Sequence, residues 1–363
     1  MTAPVASAAA GWAETALASV LARVSVTAHE AGMRFPLYAD PDTGAWRTTA
    51  RGSWTGGFWA GLLWLRALSS GAAEHRAAAA DCTGRLRHWV AQDTATRGLV
   101  LWYGTSLAAG PGGDGAAAAL RDEAARACLA AYEPEWGLVP WGGAFGGPRL
   151  LARADGVPGL VPLLARADGG AAAAYAHLDR HLRLCLSQDP PRPAWQAGPR
   201  GTWTAWPEPG PGWSRTAAWL LLAVADGMRC FGADDRLRAA ALRLSALRLA
   251  SGARLVPPAR GADPDPSGPV DTSAAAIEAV AALKLGALAR TAGDRRAADH
   301  LTDRGRLVLH RLATAHLSST GALRDGCYDA DRGLAPQHEL IWGDFFLAWG
   351  LATLTGLVEP FTM

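Results

Sequence analysis

The chain has 363 residues, 50% hydrophobic and 19% charged, with 35 Lys+Arg against 33 Asp+Glu and a formal charge of +2. That is enough apolar material for a sizeable core. The nearly balanced, interspersed charge excludes a nucleic-acid surface and a polybasic membrane patch.

From the N-terminus, Met1–Ala10 carries no basic region before its small residues, so no secretory signal is expected. Helical periodicity then runs over about Gly11–Ala31, Phe58–Leu68, Ala73–Val90, Leu99–Ala108, Ala116–Ala131, Val157–Arg166, Ala171–Leu186, Arg215–Phe231, Asp235–Ala250, Ser273–Thr291, Arg295–Ala313 and Leu340–Leu354. No strand alternation is found and no apolar stretch reaches the roughly 18 residues of a membrane span. Amphipathic Ala/Arg-rich segments such as Asp235–Ala250 alternate with nearly uncharged ones such as Ser273–Leu283. A helix with a polar face sits at a surface and one apolar all round must be enclosed, so the pattern predicts an outer and an inner ring. The expected fold is all-α, a single-domain (α/α)6 barrel built from six helical hairpins. Long Gly/Pro/Trp loops, notably 34–53, 133–154, 188–212, 256–270 and 318–339, should gather at one mouth of that toroid.

The five cysteines (Cys82, Cys128, Cys185, Cys230, Cys327) are widely spaced and mostly inside apolar helical patterns. They are expected to be reduced core residues of a cytoplasmic protein. Sixteen tryptophans stand against five tyrosines and seven phenylalanines. Many lie in the loops (Trp46, Trp54, Trp136, Trp141, Trp203, Trp206, Trp213, Trp342), where a lined pocket explains them better than core filling. The densest segment, Gly52-Ser53-Trp54-Thr55-Gly56-Gly57-Phe58-Trp59-Ala60-Gly61-Leu62-Leu63-Trp64-Leu65, combines close backbone approach at glycine with indole faces suited to sugar C–H groups.

That segment, followed in order by Gly137-Leu138-Val139-Pro140-Trp141, Asp155 before an apolar helix, Trp213-Ser214-Arg215 with Trp219, Asp271-Thr272-Ser273-Ala274-Ala275-Ala276-Ile277 and Glu339-Leu340-Ile341-Trp342-Gly343-Asp344-Phe345-Phe346, resembles the unsaturated glucuronyl hydrolases of glycoside hydrolase family 88 and their rhamnogalacturonyl relatives. The resemblance spans nearly the whole chain. It implies the (α/α)6 barrel and activity on sugars with a C4=C5 double bond next to a carboxylate. In that chemistry an aspartate protonates C4, water adds at C5, and the hemiketal opens to expel the aglycone. Asp155 matches that aspartate; read locally, without the resemblance, it is a helix cap. The substrate-binding residues so implied are Trp54, Trp102, Trp141, Trp213 and Trp342, with Arg215 gripping the carboxylate in a bidentate contact. Read locally, Arg215 is alternatively a stacked arginine bonded to helix-end carbonyls. The partner expected is a small-molecule or oligosaccharide substrate, with a homodimer left open and no nucleic acid, membrane, cofactor or metal.

The chain departs from the family pattern at a second acid. The His-Asp-x-Gly-Phe segment falls near Arg97-Gly98-Leu99, which puts Gly98 in the acid's place, with Asp93 the nearest upstream carboxylate and out of register. Ala217 stands where a glutamine is expected, and no histidine occurs in 193–212. These changes favour a repurposed toroid, a sugar-binding protein or an enzyme acting on another small molecule, as the alternative function. Other constellations are weaker. Asp40-Pro41-Asp42-Thr43-Gly44 reads as a turn, since position twelve of a calcium loop would be Arg51. His177 and His181 share a helix face expected to be exposed, without the glutamate of a zinc motif. Asp271 reads as a helix cap, and Glu339 and Asp344 as closing the ring through an arginine.

Overall fold

Alternating burial along the chain becomes two concentric rings. The computed structural model describes residues 6–261 and 268–363, so part of the loop 256–270 and the first residues of the N-terminal segment lie outside the described residues. Twelve α-helices are present among them. They are α1 (Ala6–Ala31), α2 (Gly56–Ser70), α3 (Ala73–Arg85), α4 (Tyr103–Ala109), α5 (Gly115–Ala130), α6 (Leu160–Ala165), α7 (Ala171–Cys185), α8 (Arg215–Phe231), α9 (Asp235–Arg248), α10 (Thr272–Thr291), α11 (Arg295–Ala315) and α12 (Ile341–Leu354). The even-numbered helices are buried over most of their length and pack in sequence, α6 meeting the turn Gly98–Trp102 that leads into α4 and α12 closing back on α2; each odd-numbered helix packs outside an inner one. The twelve helices therefore form the expected (α/α)6 toroid.

Its axis is filled by aromatic rings. Phe58 of α2 meets Phe345 of α12 at 5.2 Å and Tyr103 of α4 at 5.4 Å, and Trp219 of α8 meets Phe346 of α12 at 5.6 Å. Edge and tilted contacts of this kind add specific geometry to a large apolar burial. At the far end of the axis the chain's one lysine, Lys284 of α10, is fully enclosed and donates to Asp226 Oδ1 at 2.5 Å and to the Met363 carbonyl at 2.6 Å.

The two ends differ. Inner-to-outer connections such as 71–72 and 292–294 are short, whereas outer-to-inner ones are long. The long ones hold strands that periodicity missed. These are β1 (Phe35–Ala39), β2 (Trp46–Thr49), β3 (Leu151–Arg153), β4 (Ala194–Ala197), β5 (Trp203–Ala205) and β6 (Glu339–Leu340), arranged in two antiparallel sheets of order β2-β1-β6 and β3-β4-β5. At two to five residues each they are too short to show an alternating pattern. The pairing of β1 with β6 joins the start of the chain to its last hairpin.

Three further expectations are corrected. Helix α10 is long and apolar enough to cross a membrane by length and composition, yet it is an inner-ring helix and 83% of its apolar window is buried. Four of the cysteines are buried, but Cys230, near the end of α8, is exposed. His177 and His181 lie on the buried face of outer helix α7. The His177 ring donates to the Gly156 carbonyl and accepts from Val139 N–H, and His181 Nδ1 donates to the His177 carbonyl.

Ring closure also involves a buried acid pair. Arg23 of α1 holds Glu339 through two hydrogen bonds of 3.0 and 2.8 Å, and Asp344 lies beside them, accepting from Leu323 N–H at 3.0 Å. Burial first, and then the neighbouring Glu339 charge, push the Asp344 carboxyl well above its usual 3.8. The folded state thus keeps a proton that the unfolded chain releases above that value. Unfolding releases it, and the Asp344 contribution to stability falls as pH rises from 3.8 toward the folded value. We expect Asp344→Asn to remove this term. Urea midpoints between about pH 4 and about pH 7 should show wild type losing stability relative to the variant as pH increases.

Candidate active site

Every outer-to-inner connection among the described residues delivers side chains to one cavity of about 300 Å³, at the end where the inner helices begin. Ser53 and Trp54 come from the loop before α2, Thr96 and Leu99 from the one before α4, and Trp141, Phe145, Arg153 and Asp155 from the one before α6. Trp213, Arg215 and Trp219 come from the start of α8, Arg260 from the loop before α10, and Tyr328 to Arg332 from the loop before α12. The volume suits about one sugar ring.

Asp155 sits in a single helical turn between β3 and α6, and its side chain is 16% exposed. It caps no helix: α6 has no side-chain cap. Instead both its oxygens accept from Arg153, Nε to Oδ1 at 2.9 Å and Nη2 to Oδ2 at 2.8 Å. The Arg153 guanidinium lies 4.2 Å from the Trp141 ring centroid, so this pair is held by an indole face as well as by charge. Beneath it on α7, burial pulls His181 down to about 4 and pushes the Cys185 thiol up, so both are neutral near pH 7. Among the described residues the other cavity carboxylates, Glu208, Asp329 and Asp331, are more exposed and belong to the rim, where Arg332 pairs with Glu208 and Arg260 with Asp331 at 2.9 Å.

Trp54, Trp141 and Trp213 all face this cavity, as does Trp219 from one turn into α8. The indole N–H of Trp54 donates to Tyr328 Oη and that of Trp141 to the Gly146 carbonyl. These two rings therefore offer faces, not donors. Trp342 is fully buried behind Trp54, 4.8 Å between centroids, and supports that ring without lining the cavity. Trp102 is placed elsewhere: it lines a separate depression with Asp226, Arg229 and Met363 at the far end of the barrel. The π-helical turn Gly98–Trp102 carries it down the inner ring, away from the mouth. Trp46, Trp136, Trp203 and Trp206 do not line the cavity either.

Arg215 lines the cavity but is committed. Its Nη1 donates to Asp271 Oδ2 at 2.6 Å and to the Cys327 carbonyl, and its Nη2 donates to the Tyr328 carbonyl at 2.6 Å. It is 3% exposed and stacks at 4.8 Å on Trp213 and 5.5 Å on Trp342. Both its terminal nitrogens are thus engaged within the protein, while its Nε has no hydrogen-bond partner among the described residues, so a two-pronged grip on a substrate carboxylate would have to share nitrogens already in use. Asp271 also accepts from Ser214 Oγ, Ser273 N–H and Ala274 N–H, capping α10.

Gly98 is buried and does not line the cavity. A Cβ there would collide with the backbone of Leu160 and come within 2.7 Å of the Pro158 carbonyl, so this position requires glycine. A carboxylate side chain therefore has no room at Gly98, whereas Thr96, two residues earlier, lines the cavity. Asp93 is exposed outside it, bonded to Gly143 N–H and Arg149 Nε. Sequence reasoning missed Thr96 and Arg153; the signal for Arg153 is an arginine two residues before Asp155, where β3 ends and the helical turn carrying the aspartate begins.

No protein-family model matches the sequence, nor does any curated protein. Solved structures do match. The unsaturated glucuronyl hydrolase from Bacillus sp. GL1, described as responsible for glycosaminoglycan degradation, is 22% identical, with 94% of this chain and 96% of that one covered and a TM-score of 0.82. The chain has the fold of the unsaturated glucuronyl hydrolases. One specific for heparin is 17% identical over 95% and 97% of the two chains, TM-score 0.83. A Streptococcus agalactiae variant complexed with dGlcA-GalNAc6S is 16% identical over 94% and 91%, TM-score 0.72. Among the described residues no group of three or more His, Cys, Asp and Glu side chains is arranged to hold a metal ion.

Because Arg215 and Asp271 are an enclosed ion pair, removing one partner leaves an uncompensated charge. We expect Asp271→Ala to lower unfolding stability by about 3–5 kcal/mol. Arg215→Lys, which keeps the charge but loses the fork, should show its main effect in the denaturation midpoint and not in ligand affinity; a ligand titration beside a melting curve checks both.

Proposed function

We propose that this protein hydrates the C4=C5 double bond of an unsaturated uronosyl group, using Asp155 as acid and then as base. The observation that carries this reading is the placement of Asp155 as the one deep carboxylate, among the described residues, in an indole-walled cavity of sugar size. The solved unsaturated glucuronyl hydrolases, one of them complexed with dGlcA-GalNAc6S, support the substrate class.

The residues supply the following steps. Protonated Asp155 gives its proton to C4 while the electron pair of the double bond forms the new C–H bond, leaving positive charge shared by C5 and the ring oxygen. A water oxygen bonds to C5 and loses its proton to Asp155, which restores the acid. The C5 hemiketal then opens: its hydroxyl becomes the C5 ketone as the bond from C5 to the ring oxygen breaks and that oxygen takes the proton, and the hemiacetal left at C1 collapses to an aldehyde as the glycosidic oxygen leaves with the hydroxyl proton. Trp54, Trp141, Trp213 and Trp219 enclose the ring and exclude bulk water. A single carboxyl suffices for this addition. Ordinary glycosidases need two carboxylates flanking the scissile bond, and Thr96, which lines the cavity, supplies no carboxylate.

Thr96 and Ala217 also favour a second reading, a repurposed cavity that binds a sugar acid or processes another small molecule. Loss of the conjugated double bond's ultraviolet absorbance separates the two. With a panel of unsaturated uronosyl disaccharides, wild type should consume at least one, and Asp155→Asn should be slower by about 100-fold or more with its fold intact, since an amide donates no proton to carbon. Unchanged absorbance in wild type at high enzyme concentration selects the second reading.

Replacing the residue that faces the cavity should differ from replacing the one that does not. Thr96→Asp is expected to fold and to raise the rate. Gly98→Asp is expected to lose stability, because its side chain meets the backbone of α6; circular dichroism melts and the same absorbance assay check the pair.

A further inference from the structure

We infer that Arg153 receives the carboxylate of the substrate, and that this carboxylate, arriving beside Asp155 on a shared guanidinium, is what loads Asp155 with the proton it delivers. The inference rests on the reading of Asp155 as acid and base. It adds how the site selects an anionic sugar and how it becomes an acid.

Three observations lead to it. Of the four arginines facing the cavity, Arg215 has both terminal nitrogens engaged by Asp271 and two carbonyls, leaving only a buried Nε without a partner among the described residues, while Arg260 and Arg332 are about half or more exposed and paired with rim acids. Arg153 is 19% exposed and deep, with Nε and Nη2 on Asp155; among the described residues its Nη1 has no hydrogen-bond partner. One edge of a planar, five-donor group is therefore taken and the other is offered to the cavity.

The second observation concerns the substrate's own geometry. Its carboxyl carbon is bonded to C5, and C5 is bonded to C4, the atom to be protonated. A group that grips the carboxylate must therefore stand within a few bond lengths of the acid. Arg153, hydrogen-bonded to Asp155, meets that requirement.

The third concerns charge. Asp155 as it stands, with both oxygens accepting from one guanidinium, is an acceptor with nothing to give. A second carboxylate on the same cation places two negative charges against one positive charge in a cavity that the ligand has emptied of water. Like charges this close do not both stay ionised, and one takes a proton from solvent. With Thr96 leaving the depth of the cavity without another carboxylate, the substrate brings the second one itself. The other titratable groups packed around Asp155 do not compete for that proton near pH 7. Burial holds His181 down at about 4 and His177 well below its usual value, and keeps the Cys185 thiol neutral.

The test uses the whole protein and saturated glucuronate, which is not consumed, with glucose as its neutral counterpart. Calorimetric titration near pH 7 in buffers of different ionisation heat counts protons. Wild type is expected to take up a substantial fraction of a proton per glucuronate bound and none with glucose, and to bind glucuronate more tightly as pH is lowered from about 8 to about 6. Arg153→Gln should weaken glucuronate about 10- to 100-fold and leave glucose unchanged, with Arg153→Lys between. Asp155→Asn should still bind glucuronate, without proton uptake. Glucuronate bound by wild type with no proton exchange, or no more tightly than glucose, overturns the inference, and neither result depends on a variant folding. Equal loss of both sugars in Arg153→Gln also overturns it. Arg153-dependent proton uptake without turnover of any unsaturated disaccharide leaves the inference standing and removes the hydration reading. Turnover by Arg153→Gln with unchanged KM does the reverse.

Discussion

The enclosed pair of Arg215 and Asp271 is the contact on which the mouth of the barrel depends. Asp271 ends the loop before α10 and caps that helix, Arg215 opens α8, and the carbonyls of Cys327 and Tyr328 belong to the loop before α12. One guanidinium thereby fixes three neighbouring connections in space. Its remaining faces are covered by Trp213, which lines the cavity, and Trp342, which backs Trp54. The orientation of the indole walls follows from this arrangement, because each ring packs on a group that has no freedom to move. An arginine so placed is a frame for the site and contributes to ligand binding only through the surfaces it holds.

Beneath that frame the inner helices approach one another closely at the loop before α4. Gly98 passes so near Leu160 and Pro158 that no side chain fits between them, and Gly159 returns the contact with a positive φ of 69°. The crossing sets which residues of the segment 94–99 turn inward, and those are Thr96 and Leu99. It also brings the turn that carries Asp155 against the same segment. A one-atom constraint on packing thus bears on the chemical content of the cavity, bringing Thr96 and Leu99 to its wall.

The pairing of Arg153 with Asp155 gives the cavity its character. It lies at the inner end, backed by Trp141 and by the neutral histidines of α7, with ionic loops above it at the rim. Charged groups are therefore arranged in two tiers: a screened outer one, where pairs contribute little, and an inner one, where a single salt bridge sits among aromatic faces and electrostatic interactions are stronger. A ligand seated between the tiers would meet apolar faces on its sides and charge at its two ends.

Much of this was legible in the order of residues. Alternation of polar-faced and fully apolar helices determined the double ring, because an apolar helix has no stable place except inside one with a wet face. Glycine, proline and tryptophan marked the loops that build the cavity, and the aspartate before α6 and the indoles at 54, 141 and 213 could be placed at its mouth from their positions before inner helices. Tertiary structure alone decided the rest. Whether Arg215 is free or engaged depends on carbonyls 112 and 113 residues away, and whether Trp342 is wall or backing depends on a ring from another hairpin. The rotation of a π-helical turn, which sends Trp102 to the opposite end of the barrel and Thr96 toward the cavity, is set by a backbone crossing with residues about sixty positions on. Local pattern determines which faces of a helix are apolar; which of those faces meets another element, and which side chain has spent its hydrogen bonds there, is settled only when distant segments share the same space.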